Sequence, residues 1–120
     1  LQVARMHLVE RRTAEAIGPL DRAFALGVTS PEERLQYAAV LLEVGRFDDA
    51  VKQSNTIIEA FPRTPPAWII LARAHRSAGR LAVAFEAAVA GLQNNAGHPQ
   101  LSALVEEIRA QGLAQQENER

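Results

Sequence analysis

Apolar residues recur along this chain at the spacing of an α-helix. Between 47 and 61, Phe47, Ala50, Val51, Ile57, Ile58 and Phe61 fall on one stripe of the 3.6-residue period, with charged and amide residues between them. Leu35, Ala38, Ala39, Leu41 and Leu42 do the same over 35–44. No stretch alternates apolar and polar residues between hairpin turns, so the pattern predicts helices throughout. The breaks are equally legible. Ser30-Pro31-Glu32-Glu33 reads as a capping box, with Ser30 as N-cap and Pro31 at the first helical position. Thr64-Pro65-Pro66 repeats that start signal, and Gly45 and Gly79 supply residues that tolerate the positive φ of a helix end. These signals predict helices near 1–10, 13–26, 31–44, 47–60, 65–78, 81–93 and 99–111, paired as antiparallel hairpins.

The hairpins repeat at one interval. Arg12, Arg46 and Arg80 stand 34 residues apart, as do Ala16, Ala50 and Ala84, and Ala4, Ala38 and Ala72. Leu8 and Leu42 share the interval, and so do Phe24, Ile58 and Leu92. Self-similarity at a period of 20 to 50 residues marks a stacked-repeat architecture. The recurring alanines have a steric reason. Helices joined by a tight turn cross closely, and only small side chains let the two backbones approach. Ala38 with Ala50, and Ala72 with Ala84, are placed to meet that need. The arginines at 12, 46 and 80 fall at the turns and read as solvated residues at helix ends.

Composition narrows the field. At 120 residues and 48% apolar, the chain has the length of one domain and can bury a core. A net charge of −1 is too balanced for bulk-charge binding of nucleic acid. The absence of cysteine excludes disulfides and thiolate metal sites. No apolar run has the roughly 18 residues of a membrane span, so no membrane insertion by this segment is expected.

The repeat resembles the tetratricopeptide repeat (TPR), a 34-residue helix–turn–helix unit. Trp68-x2-Leu71-Ala72-x2-His75 followed by Ala84 carries the resemblance in one copy. Tyr37-Ala38-x2-Leu41 followed by Gly45, Phe47, Ala50 and Pro62 carries it in another. A weaker first copy runs from Val3-Ala4-x2-His7 through Ala16 and Ala23, with Arg11 where the turn glycine would stand. The resemblance covers about residues 1–96. It implies an all-α, right-handed α-solenoid of about three hairpins (near 1–28, 31–62 and 65–96) with a C-terminal capping helix at 99–112. Residues 1–113 would then form a single domain, ending in a frayed polar tail, 114–120.

Departures from the pattern carry expectations of their own. Gly18-Pro19 falls inside the second predicted helix and should kink it. Gly91 takes the place of a larger small residue, which predicts a looser last hairpin. Leu101, Leu104, Val105 and Ile108 form one more stripe, and Gly112-Leu113 looks like a helix-ending pair. One period beyond Ala72 stands Glu106, too large and polar for a close crossing, so this helix is expected to cap the array. Leu1 falls several residues into its repeat's first helix, which predicts that the natural protein continues upstream.

No constellation for catalysis emerges. His7 and His75 are two periods apart at an inward-facing position and read as packing residues, and no cluster of further ligands accompanies them. His98-Pro99 reads as a turn. There is no glycine-flanked nucleophile and no phosphate loop. Asp48-Asp49 sits in a first helical turn, where carboxylates offset the helix dipole. The chain is therefore read as non-enzymatic, with no catalytic, cofactor or metal residues.

In the family, the first helices of successive hairpins line a concave groove. The resemblance places Arg5, Leu8 and Val9, then Leu35, Ala39, Leu42 and Glu43, then Ile69, Arg73, Arg76 and Ser77 in it. That surface is apolar toward the start and cationic toward the end. It suits a protein or peptide partner with hydrophobic anchors and a carboxylate. The TPR subclass that grips chaperone C-termini would need lysines and asparagines where this chain has Leu1, Arg5, Gln36, Pro66 and Ile70, and only Arg5 could do similar work. The expected function is a protein-interaction module. The alternative is a structural or oligomerisation segment of a larger multi-repeat protein, self-associating through an uncapped N-terminal hairpin. An RNA-reading helical repeat is opposed by the charge balance.

Overall fold

A computed structural model describes residues 30–118 of the chain. Five helices fill this span: α1 (Pro31–Glu43), α2 (Phe47–Ala60), α3 (Pro65–Ser77), α4 (Leu81–Asn94) and α5 (Pro99–Asn118). No described residue lies in a strand. The expected helices and the 34-residue hairpin repeat are present from Ser30 onward. The expected first hairpin, the Gly18-Pro19 kink and the packing role of His7 lie outside the described residues.

Local chemistry explains the helix ends. Ser30 takes an extended conformation and its Oγ accepts from the Glu33 amide at 3.2 Å, capping α1. Asp48 and Asp49 occupy the first turn of α2, favourable against the helix dipole. The two tight turns are built alike. Gly45 (φ 85°) donates its amide to Leu42, and Arg46 donates to Leu41. Gly79 (φ 84°) donates to Arg76, and Arg80 donates to His75. This pair of bonds closes off helix carbonyls that would otherwise be unpaired, and it requires a left-handed residue in the middle.

Packing then arranges the helices in two layers. Each helix packs on the next. In addition α3 packs on both α1 and α5, whereas the backbones of α2 and α4 stay apart. The first helix of each hairpin is thus crowded into an inner row, α1–α3–α5, with α2 and α4 splayed outside it. The result is a helical-repeat solenoid.

The crossings are where the sequence placed them. Ala38, Ala50, Ala72 and Ala84 are all fully buried. Two clusters form the core: one built from Tyr37, Ala38, Leu41, Ala50, Ile70 and Ala74, the other from Trp68, Leu71, Ala72, Ala84, Ala88 and the α5 stripe. Val51 packs against both. Leu101, Leu104, Val105 and Ile108 of α5 are buried against α4 and α3.

Three expectations are corrected. Gly91 does not loosen the last hairpin: a Cβ there would stand 2.7 Å from the Cβ of Trp68. The missing side chain is what lets α4 close on the indole. Gly112 does not end the last helix, which continues to Asn118 instead of giving way to a frayed tail at 114. Its φ is not positive, and Ala114, Gln115, Gln116 and Glu117 are good helix formers that carry the helix past it. Phe61 leaves the α2 stripe and is 52% exposed, because it follows the last helical residue with φ −137°.

Candidate functional site

The inner row presents the candidate groove. Leu42 of α1, Arg73, Arg76 and Ser77 of α3, and Gln111 of α5 converge on one cleft of about 520 Å³. Four of the residues expected in the groove are brought together here. Arg73 and Ser77 are exposed, while Leu42 and Arg76 are partly buried. Ala39 is partly buried and packs on the core beneath. Glu43 is exposed at the C-terminal end of α1.

The remaining expected residues part company with the cleft. Leu35 lines a separate apolar hollow of about 300 Å³ with Pro31, Ile57 and Phe61, at the other end of α1. Ile69 is not a groove residue. It is 9% exposed and belongs to the core that α3 shares with α4 and α5. Its neighbour along the chain, Ile70, is buried in the other core. Arg5, Leu8 and Val9 lie outside the described residues.

The electrostatics also differ from the expected cationic end. Arg76 Nε donates to Gln111 Oε1 at 2.7 Å, and its Nη1 lies 3.4 Å from Glu107 Oε2. Its guanidinium is committed to tying α3 to α5. Arg73 makes no ion pair with a described residue, and it is the groove's available cation. Gln111 and Glu107 fall outside the groove expected from the sequence, which makes α5 only a cap. The period would have found them: Arg73 and Glu107 stand 34 apart, as do Ser77 and Gln111. Glu106 breaks the crossing register, yet the groove register passes unbroken along the next face of the same helix.

A second polar cluster forms on the turn between α3 and α4. Arg80 Nε donates to His75 Nδ1 at 2.9 Å, and Arg80 Nη2 pairs with Asp48 Oδ1 of α2 at 2.9 Å. Arg80 is therefore not merely a solvated helix-end residue; it links one hairpin to the next. Arg46, one period earlier, pairs with Asp49 at 2.9 Å. Burial lowers the pKa of His75, the Arg80 charge lowers it further, and Asp48 opposes both. His98 meets the last helix as a cap, its Nδ1 accepting from the Leu101 amide at 3.4 Å. Among the described residues no three His, Cys, Asp or Glu side chains are grouped to hold a metal ion. No described helix is long and apolar enough to cross a membrane.

Paired helices stacked in two layers, with the first helices forming an inner row, define a helical-repeat solenoid. Residues 31–74 match the family described as the tetratricopeptide repeat. No curated protein sequence matches the chain. Among solved structures it is similar to the Sgt2 TPR domain from Aspergillus fumigatus, with a TM-score of 0.73 at 17% identity, covering 99% of this chain and 79% of that one. It is equally similar to the first TPR domain of human RPAP3, with a TM-score of 0.73 at 16% identity, covering 99% of this chain and 93% of that one. At such identities the likeness speaks for the fold alone.

Proposed function

We propose that this domain is a non-enzymatic module that binds an extended or helical peptide of a partner protein through the concave groove. The observation that carries the reading is the convergence of Leu42, Arg73, Ser77 and Gln111 on one open cleft of the inner row. The cleft sets the apolar side chain of Leu42 beside a cation that no described residue neutralises. A peptide with an aliphatic anchor against Leu42 and Ala39, and a carboxylate reaching Arg73, fits that chemistry. Gln111 and Ser77 add hydrogen-bonding groups that can fix the peptide's register.

Fluorescence anisotropy with labelled Leu/Glu peptides and matched Leu/Lys peptides tests this. The acidic set should bind at least about tenfold more tightly, and Arg73→Glu should abolish that preference. Arg73 is the right position to change, because Arg76→Glu would also break the bonds to Gln111 and Glu107. Equal affinities for the two peptide sets, or an unchanged preference in Arg73→Glu, would remove the groove from the account.

A further inference from the structure

At the far end of the array, α5 repeats the position of α1 and α3 but has no following helix beside it in the described chain. Each earlier first helix is covered by an antiparallel partner, α2 on α1 and α4 on α3. What α5 offers instead is a hollow of about 400 Å³ between its C-terminal half and the start of α4. Leu81, Phe85 and Ile108 form its apolar wall, and Gly112, having no side chain, opens it. Phe85 stands one period beyond Val51, which is packed between two cores. On the rim sits Leu113, 56% exposed.

We propose that a second copy of this chain occupies the hollow, with the two α5 helices crossing antiparallel about a two-fold axis at Leu113. Three observations favour that occupant over another. A knob, Leu113, and a hole, the Gly112 hollow, lie side by side on one face, which is what a self-complementary interface needs. A two-fold axis across α5 makes the second helix antiparallel, the same sense as α2 on α1 and α4 on α3. The charges then match. Arg109 and Glu117 are equidistant from Leu113 in sequence, so the axis sets Arg109 of each copy against Glu117 of the other. Glu117 makes no ion pair with a described residue. Arg109 lies over the Phe85 ring at 5.9 Å and meets only the exposed Glu106, at 3.4 Å.

Sedimentation velocity on the whole chain, from low micromolar to near-millimolar concentration, tests the proposal. The mass should rise from 13.1 kDa toward twice that value with concentration. Leu113→Glu should weaken association at least about tenfold while leaving the thermal melt of the dilute protein unchanged, because the residue is exposed. Arg109→Glu should weaken it as well, and Arg109→Glu with Glu117→Arg should restore it. A wild type that stays monomeric throughout gives the hollow to some other occupant and overturns the proposal. So does association indifferent to Leu113→Glu, or a double charge reversal that fails to rescue. None of these results touches the groove, whose test reads peptide affinity.

Discussion

Gly91 lies directly beneath Trp68, so close that an added Cβ would meet the indole's Cβ at 2.7 Å and its Cγ at 2.9 Å. Those atoms are anchored. Trp68 is 9% exposed, and its Nε1 donates to the Pro62 carbonyl at 2.7 Å, pinning the ring to the connection between α2 and α3. Alanine would gain about 1 kcal/mol of helix propensity. The clash should outweigh it, at about 1–3 kcal/mol of overpacking. Gly91→Ala is therefore expected to lower the melting temperature by several degrees, with a red-shifted Trp68 emission as the indole is displaced. A variant as stable as wild type would show that the contact relaxes.

The same substitution at Gly112 should act in the opposite direction. Gly112 is inside α5, and an added Cβ would find Leu81 at 3.7 Å, an ordinary contact. Gly112→Ala should stabilise the dilute protein by about 0.5–1 kcal/mol, read by urea denaturation.

Ser54 is fully buried in α2 and its hydroxyl finds no partner among the described residues. One period on, the same place is held by Ala88, also fully buried. An unpaired buried hydroxyl costs about 1–3 kcal/mol. Ser54→Ala should thus raise stability by about 1 kcal/mol; a loss would indicate a hydrogen bond that the hydroxyl makes in solution.

Ala50 tests the crossing itself. It is fully buried where α1 and α2 approach, and a leucine has nowhere to go. Ala50→Leu should cost about 1–3 kcal/mol, whereas a thermal melt unmoved by it would refute the packing.

His75 gives the domain a pH response of known sign. Burial first, and the Arg80 charge second, lower its pKa below 6.5, with Asp48 opposing. The folded chain then binds fewer protons at this site than the unfolded chain does. Its contribution is complete above pH 6.5 and is lost as pH falls through the lowered value. Protonation would also remove the lone pair that accepts from Arg80 Nε. His75→Gln can keep an acceptor without titrating, so its stability should fall less than that of wild type between about pH 7.5 and about pH 5. Equal losses in the two proteins would discard this account.

What the sequence determined is what depends on residues near one another along the chain, or on the strict repeat. Ser30 caps its own helix, Gly45 and Gly79 take the conformations their turns demand, and the alanines 34 apart meet wherever two such hairpins cross. Those features follow from local stereochemistry and periodicity, so they could be read without coordinates. The fate of side chains shared between helices was another matter. Whether Ile69 faced a groove or a core, whether Arg76 was available or held by Gln111 and Glu107, and whether Gly91 loosened or allowed a contact each depended on what stood opposite. Distances across the helix layers decide those questions, and a rotation of only about 40° around α3 separates the buried Ile69 from the exposed Arg73. Only the assembled solenoid fixes that rotation, because only there do α1, α4 and α5 compete for the faces of the same helix.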